Sequence, residues 1–172
     1  MKRKLLVLFI VPMLLFTGCS LFKGQAQPLV MEELGLDISD ATVDFFLNTR
    51  KDRADGITVV KATFPDTSFS SQLENKEGFQ PLPLSEKLTN ALHSIDFLQN
   101  ENGELLFPHA ENGYYKIALD FENGNEEPFT LNQGADLMIA IFNEDTRQFQ
   151  YYHFGTDNMN VLKDLQKLIK NQ

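Results

Sequence analysis

Side chains that could act as metal ligands, nucleophiles or proton carriers are few in this chain of 172 residues. The three histidines, His93, His109 and His153, stand far apart, and the single cysteine is Cys19. Zinc sites use short ligand pairs such as His-Glu-x-x-His or Cys-x-x-Cys, because neighbouring ligands must reach one ion. Neither pattern occurs in the sequence, so we expect neither a metal centre nor a cofactor.

The best candidate for a cation site is an oxygen-rich stretch between Asp120 and Glu127. An EF-hand loop needs glycine at its sixth position and glutamate at its twelfth. Counted from Asp120, the glycine is fifth and the twelfth residue is Leu131, which has no carboxylate. The sequence therefore favours a solvated hairpin turn over a calcium site.

Aromatic side chains are concentrated in residues 149–154. In an extended strand, Phe149, Tyr151 and His153 share one face, and Tyr152 and Phe154 share the other. Two interpretations are open: a central strand covered by other layers on both faces, or an exposed aromatic surface that binds a partner or an extended peptide. Phe149, Tyr151 and His153 are the candidate binding residues, and a pocket beside Tyr151 and His153 would suit a small ligand.

Catalysis has weaker support in the sequence. Paired carboxylates could serve glycoside hydrolysis in a chain this acidic, with His109 or His153 as a further proton carrier. The chain has no tryptophan for stacking sugars, and it contains no Gly-x-Ser-x-Gly elbow or phosphate-binding glycine loop. We expect no catalytic residues and a non-enzymatic protein, with a hydrolase as the least favoured alternative.

The residues before Cys19 have the parts of an export signal. Residues 2–4 are all cationic, and residues 5–16 form a mostly apolar run. As a helix this run would span about 18 Å, too short for a hydrocarbon core of roughly 30 Å. The small residues Thr17 and Gly18 then precede the cysteine. The pattern predicts a signal peptide over residues 1–18 and cleavage before Cys19.

The segment Leu15-Phe16-Thr17-Gly18-Cys19 resembles the lipobox of bacterial lipoproteins, with Phe16 where an aliphatic residue is usual. The resemblance implies a diacylglycerol on the Cys19 thiol, further acylation of the freed amino group, and anchoring to the extracytoplasmic face of the cell membrane. Cleavage would remove three cations and change the net charge from −9 to about −12. So acidic a chain repels both nucleic acid and anionic lipid, so we exclude nucleic acid as a partner and expect only the lipid on Cys19 to touch the membrane.

Residues 19–33 are expected to be the lipidated cysteine and a flexible tether, because Gly24 and Pro28 interrupt any periodicity. Residues 34–172 suit a single extracytoplasmic domain. A first helix is predicted between Ser39 and Gly56, since Val43, Phe46 and Leu47 follow helical spacing. Further helices are predicted after Ser85 and Thr156, and strands over residues 57–64, 114–122, 137–142 and 149–154. This order predicts an α+β fold, an antiparallel β-meander with two or three helices packed on one side.

The half from Tyr114 to Ile169 is loosely similar to small lipoproteins of Gram-positive bacteria, through its Tyr-Tyr-Lys-Ile strand and its closing leucine-rich helix. That likeness implies a compact extracytoplasmic domain and no particular reaction. We expect a lipid-anchored, non-enzymatic binding or interaction module of the cell envelope. It would contact the membrane through the lipid on Cys19 and bind an envelope protein or peptide. The alternative is a small-ligand-binding lipoprotein.

Overall fold

The computed structural model describes residues 22–50, 56–121, 134–156 and 159–169. Within these ranges, six strands form one antiparallel sheet in the order β1-β2-β6-β5-β4-β3. The strands are β1 (Thr42–Asn48), β2 (Ile57–Thr63), β3 (Gln80–Pro81), β4 (Gly113–Phe121), β5 (Ala135–Asn143) and β6 (Gln148–Thr156). The predicted α+β class and antiparallel sheet are confirmed, and β4, β5 and β6 form the expected meander.

In the described part of the chain, four α-helices pack alongside the sheet: α1 (described from 22 to 34), α2 (Ser70–Leu73), α3 (Glu86–His93) and α4 (Met159–Ile169). Gly35, with a φ of 63°, ends α1, and its N–H donates to the Met31 carbonyl at 2.9 Å. The Ser85 hydroxyl accepts a hydrogen bond from the Leu88 N–H at 3.3 Å and caps α3, as predicted. A 3₁₀ helix, Asp96–Leu98, follows α3.

Helices cover both faces of the sheet, which corrects the prediction that they pack on one side. Successive residues of a strand point to opposite faces. On β5, Ile139 packs in one hydrophobic cluster with Leu92 of α3, whereas Ala140 packs in another with Val30 of α1. We call these sides the α3 face and the α1 face; α4 lies on the α3 face and α2 on the α1 face.

β6 lies between β2 and β5 and is covered on both faces. Phe149 and Tyr151 are fully buried on the α1 face, and Tyr152 and Phe154 are buried on the α3 face. The interpretation of this segment as a central strand is therefore confirmed. The alternative, an exposed aromatic surface, is wrong because these rings fill the two halves of the core.

The predicted first helix is instead the edge strand β1. A bulge between Val43 and Phe45 shifts the pairing of β1 with β2, so that Val43 lies opposite Ala62 and Phe46 lies opposite Val60. Both side chains therefore face α1, although they are three residues apart. This spacing imitates a helical period in the sequence, while the β-branched and aromatic composition favours a strand.

The predicted flexible tether is also corrected, because residues 22–33 belong to α1. Ala26 and Val30 are fully buried, and Leu34 is nearly so, at i, i+4 and i+8 spacing. Gly24 and Pro28, which interrupt the periodicity of the sequence, lie on the exposed side of the helix. The folded domain therefore begins at least as early as residue 22, and not at residue 34.

Candidate functional site

Five polar side chains converge on the α1 face, and we call them the polar cluster: Glu33, Arg50, Asp136, Tyr151 and His153. Tyr151 and His153 are two residues apart on β6, so they share a face. Asp136 lies on β5, Glu33 in the last turn of α1, and Arg50 just after β1. The pairing of β6 with β2 and β5 thus unites residues up to 120 positions apart.

Most of the polar cluster is shielded from water. The side chains of Asp136 and His153 are each 7% exposed, and those of Arg50 and Glu33 are 16% and 23% exposed. Tyr151 is fully buried. Since burying a charge is costly unless it is paired and hydrogen-bonded, the charged members of the cluster depend on one another.

Arg50 connects carboxylates from two different elements. Its Nη2 donates to Asp136 Oδ1 at 3.0 Å, and its Nη1 lies 3.5 Å from Glu33 Oε1. The same Nη1 is 2.5 Å from His153 Nδ1. The guanidinium of Arg50 thereby connects the segment just after β1 to both β5 and α1.

Tyr151 and Glu33 are held in fixed protonation states. The Tyr151 hydroxyl donates to Glu33 Oε2. Burial raises the pKa of Tyr151, and the hydrogen bond and negative charge of Glu33 raise it further. Burial by itself would also raise the pKa of Glu33, but hydrogen bonds from His153 and Tyr151, with the charges of His153 and Arg50, outweigh it and lower that pKa. Near neutral pH, Tyr151 is a donor and Glu33 an ionised acceptor.

His153 faces competing partners at one ring nitrogen, while the other finds no hydrogen-bond partner among the described residues. Its Nδ1 lies 3.1 Å from Glu33 Oε2, which accepts, and near Arg50 Nη1, which only donates. Its buried Nε2 lies 3.5 Å from Asp136 Oδ1 and makes no hydrogen bond to the described part of the chain. The ring is therefore enclosed by charged side chains.

The chemistry of the polar cluster suits a structural role, in which its contacts hold neighbouring elements together. A tyrosine held in its protonated form is neither a nucleophile nor a base near neutral pH, and His153 Nδ1 is already occupied by neighbouring groups. In the ranges that the structure describes, no three His, Cys, Asp or Glu side chains are placed to hold a metal ion. The contacts join α1, the end of β1 and the two central strands.

Phe149, the remaining predicted binding residue on this face, lies outside the polar cluster. Its ring packs edge-on against Phe69, with centroids 5.4 Å apart. Phe69 in turn stacks on Phe64 at 4.1 Å and contacts Phe142 edge-on at 5.1 Å. Phe149 is thus part of an aromatic core beneath α2, where it contributes packing.

Sequence reasoning singled out Tyr151 and His153 but missed the other three members of the polar cluster. Glu33 was assigned to the tether, and Arg50 to the end of a helix. Asp136 did leave a signal, since it is the only charged residue in the otherwise apolar stretch 135–142. A carboxylate inside a buried strand needs a partner, so Asp136 could have indicated that a cation lies nearby.

A cavity of about 540 Å³ lies on the α3 face. One wall includes Ile141, which belongs to the cluster packed against α3, so the cavity is separate from Tyr151 and His153. The exposed side chains of His93 and His109 supply polar groups at the cavity. The Nε2 atom of His109 lies 2.6 Å from Glu111 Oε1. The apolar lining consists mainly of Leu82, Leu84, Leu105, Phe107, Pro108 and Ile141.

Cys19 and the predicted signal peptide lie outside the described residues, as does the oxygen-rich loop beyond Phe121. Of the helices that the structure describes, none combines the length and apolar character needed to span a bilayer. No protein-family model, curated protein or solved structure matches the chain. The residues before Cys19 and the cavity on the α3 face are therefore the main features from which a function can be inferred.

Proposed function

We propose that this chain is a lipoprotein, anchored through Cys19 to the extracytoplasmic face of the cell membrane, and that its domain is a non-enzymatic binding module. The charged, apolar and small-residue segments that end at Cys19 support the anchor. Mass spectrometry of the N-terminal peptide should find Cys19 as the first residue, carrying acyl groups. Cys19→Ala should remain uncleaved, and an unmodified cysteine in the wild-type protein would contradict the anchor.

The cavity of about 540 Å³ is the observation that carries the binding function. Small-molecule sites commonly enclose about 300–1,000 Å³, with apolar walls and a few polar groups that orient the ligand. Apolar side chains form the larger part of the lining, while Thr89, His93, Glu104 and His109 supply polar groups. A small, largely apolar ligand with one polar end matches that lining.

The binding proposal is tested by filling the cavity. Ala110 lines the cavity and is 6% exposed, so Ala110→Phe should occupy part of the space. Native mass spectrometry of the protein released gently from membranes should find a bound small molecule in the wild type and none in the variant. Glu101→Phe, which adds the same ring to an exposed turn, is the control. Wild-type protein that carries no ligand and gains no thermal stability from amphiphilic compounds would overturn the proposal.

A second candidate partner is an envelope protein or peptide, and an exposed apolar pair on an edge strand favours it. Phe45 and Leu47 of β1 are 45% and 38% exposed. β1 pairs with β2 on one side, and an extended peptide could add a strand to the other. In-cell crosslinking of the lipidated protein should then yield one abundant adduct that disappears in a Phe45→Ser, Leu47→Ser variant.

A further inference from the structure

α1 is a fixed part of the folded domain and cannot serve as a spacer. Its buried face packs Ala26 and Val30 into the core. The Gln27 side chain accepts from the Ile38 N–H at 2.8 Å and donates to Asp37 at 3.0 Å, which fixes the middle of the helix. The polar cluster holds the far end through Glu33. An anchor just before α1 therefore restricts the position of the whole domain, because α1 cannot move separately from it.

Only a short stretch of sequence separates Cys19 from the described part of α1. Phe22 follows Cys19 by three residues, which span at most about 11 Å when fully extended. A headgroup layer is roughly 5–8 Å thick, taken from a hydrocarbon core of about 30 Å within a bilayer of about 40–45 Å. If Cys19 carries a lipid, as the proposed function holds, Phe22, the first described residue of α1, lies in or beside the headgroups.

The surface at this end of α1 suits a lipid headgroup layer. Phe22 is 41% exposed, and aromatic side chains are favoured at membrane interfaces. The sequence from Ser20 to Met31 contains no Asp or Glu, although the chain has 24 of them, and Lys23 supplies a positive charge. Within α1 itself, carboxylates begin at Glu32, near the opposite end of the helix. The Asp37 carboxylate, from the segment that follows α1, contacts Gln27 at the middle of the helix. The end nearest the anchor is thus the end that an anionic lipid surface repels least.

We infer that the domain rests directly on the lipid surface, with the part of α1 around Phe22, and the Phe22 side chain itself, at the level of the headgroups. This inference depends on the proposed lipidation of Cys19. It fixes an orientation, since α1 is packed rigidly on one face of the sheet. The domain is held against the bilayer by α1 and does not hang from a flexible tether.

The absence of tryptophan from the chain gives a direct test. Phe22→Trp and Met31→Trp each introduce a lone fluorophore at similarly exposed positions, 41% and 44%, about 13 Å apart along one helix. Each lipidated protein is reconstituted into vesicles of phosphatidylcholine and phosphatidylglycerol, with or without brominated acyl chains. Bromine should remove most of the emission of Phe22→Trp and little of the emission of Met31→Trp.

The mass of the N-terminal peptide, measured on the same samples, separates the two possible failures. If Cys19 is acylated and brominated lipid quenches neither tryptophan, or both equally, the inferred orientation is wrong while the anchor stands. If Cys19 carries no acyl group, both the anchor and the orientation are overturned. Strong quenching confined to Phe22→Trp in the acylated protein supports the inference.

Discussion

The hydroxyl of Tyr151 donates a hydrogen bond to the carboxylate of Glu33, across 118 positions of sequence. Tyr151 lies on the central strand β6, and Glu33 lies in the last turn of α1. Because both groups are shielded from water, the bond is stronger than an exposed one, and losing one partner leaves the other unsatisfied. This single contact therefore makes α1 depend on the centre of the sheet.

Tyr151→Phe should lower the free energy of unfolding by about 1–3 kcal/mol, because Glu33 loses a donor while its carboxylate stays partly buried. Urea denaturation followed by circular dichroism measures the change. Tyr114→Phe removes a hydroxyl from a half-buried tyrosine of β4 and should change stability by less than about 0.5 kcal/mol. Equal losses in the two variants would show that the Tyr151 hydroxyl has no special role.

Acid should lower the free energy of unfolding of the domain, partly because it protonates Glu33. Its pKa in the folded protein lies below the ordinary value of 4.5. A depressed pKa stabilises the fold above the unfolded-state value, and that stabilisation is lost as the pH falls through the folded-state value. The free energy of unfolding should therefore decrease as the pH drops below about 4.5, with a smaller decrease in Glu33→Gln.

Glu32→Gln is the matched control for this pH profile. Glu32 is the exposed neighbour of Glu33 on α1, so its replacement removes the same charge without touching the polar cluster. The pKa values of Asp37 and Asp66 are also lowered, by hydrogen bonds with Ser39 and Ser68, and both residues remain in every variant. If the wild type, Glu33→Gln and Glu32→Gln lose stability in parallel below pH 4.5, Glu33 is not a source of the acid sensitivity.

The strands that could be predicted from the sequence are those with a clear repeat. β4 alternates between apolar and polar residues, and β5 is an apolar run flanked by turns, so local patterning was sufficient for both. β1 was misread because its bulge places Val43 and Phe46 on one face, which local spacing cannot distinguish from a helix. α1 was missed because Gly24 and Pro28 weigh against a helix in isolation, whereas packing against the sheet stabilises it.

The polar cluster shows a different limit of sequence reasoning. Tyr151 and His153 attract attention by themselves, because polar tips on a buried aromatic strand need partners. Their partners come from α1, from the end of β1 and from β5, and strand order alone brings them together. No local pattern contains the information that β6 pairs with β2, so Glu33 and Arg50 could not be assigned to the site.

A negative charge should destabilise the domain much more on the buried side of α1 than on its exposed side. Val30→Asp puts an unpaired carboxylate into a fully buried position and should cost several kcal/mol or prevent folding. Met31→Asp changes the next residue, which is 44% exposed, and should shift the melting temperature by only a few degrees. Similar melting temperatures for both variants would show that α1 is not packed into the core. Residues 22–33 would then be a flexible tether, and the inferred orientation of the domain on the membrane would lose its support.

Gly113 is required at the start of β4 for steric as well as conformational reasons. Its φ is 126°, and a Cβ there would overlap the carbonyl oxygen of Phe142 in the paired strand β5. Gly103 also has a positive φ, 77°, but a Cβ there would lie 3.6 Å from the nearest atom, in the Gln99 side chain. Gly103→Ala therefore isolates the conformational cost alone.

Gly103→Ala should cost about 1–2 kcal/mol, the usual strain of a left-handed residue with a side chain. Gly113→Ala should cost about 3 kcal/mol or more, since the clash is with backbone and the β4–β5 pairing must shift to relieve it. Denaturation measures both losses, and amide hydrogen exchange should show faster exchange along β5 in Gly113→Ala only. If the two variants are equally stable, β4 and β5 can separate locally at little cost. The part of the sheet that forms the cavity wall at Ile141 is then less rigid than the pairing of β4 with β5 indicates.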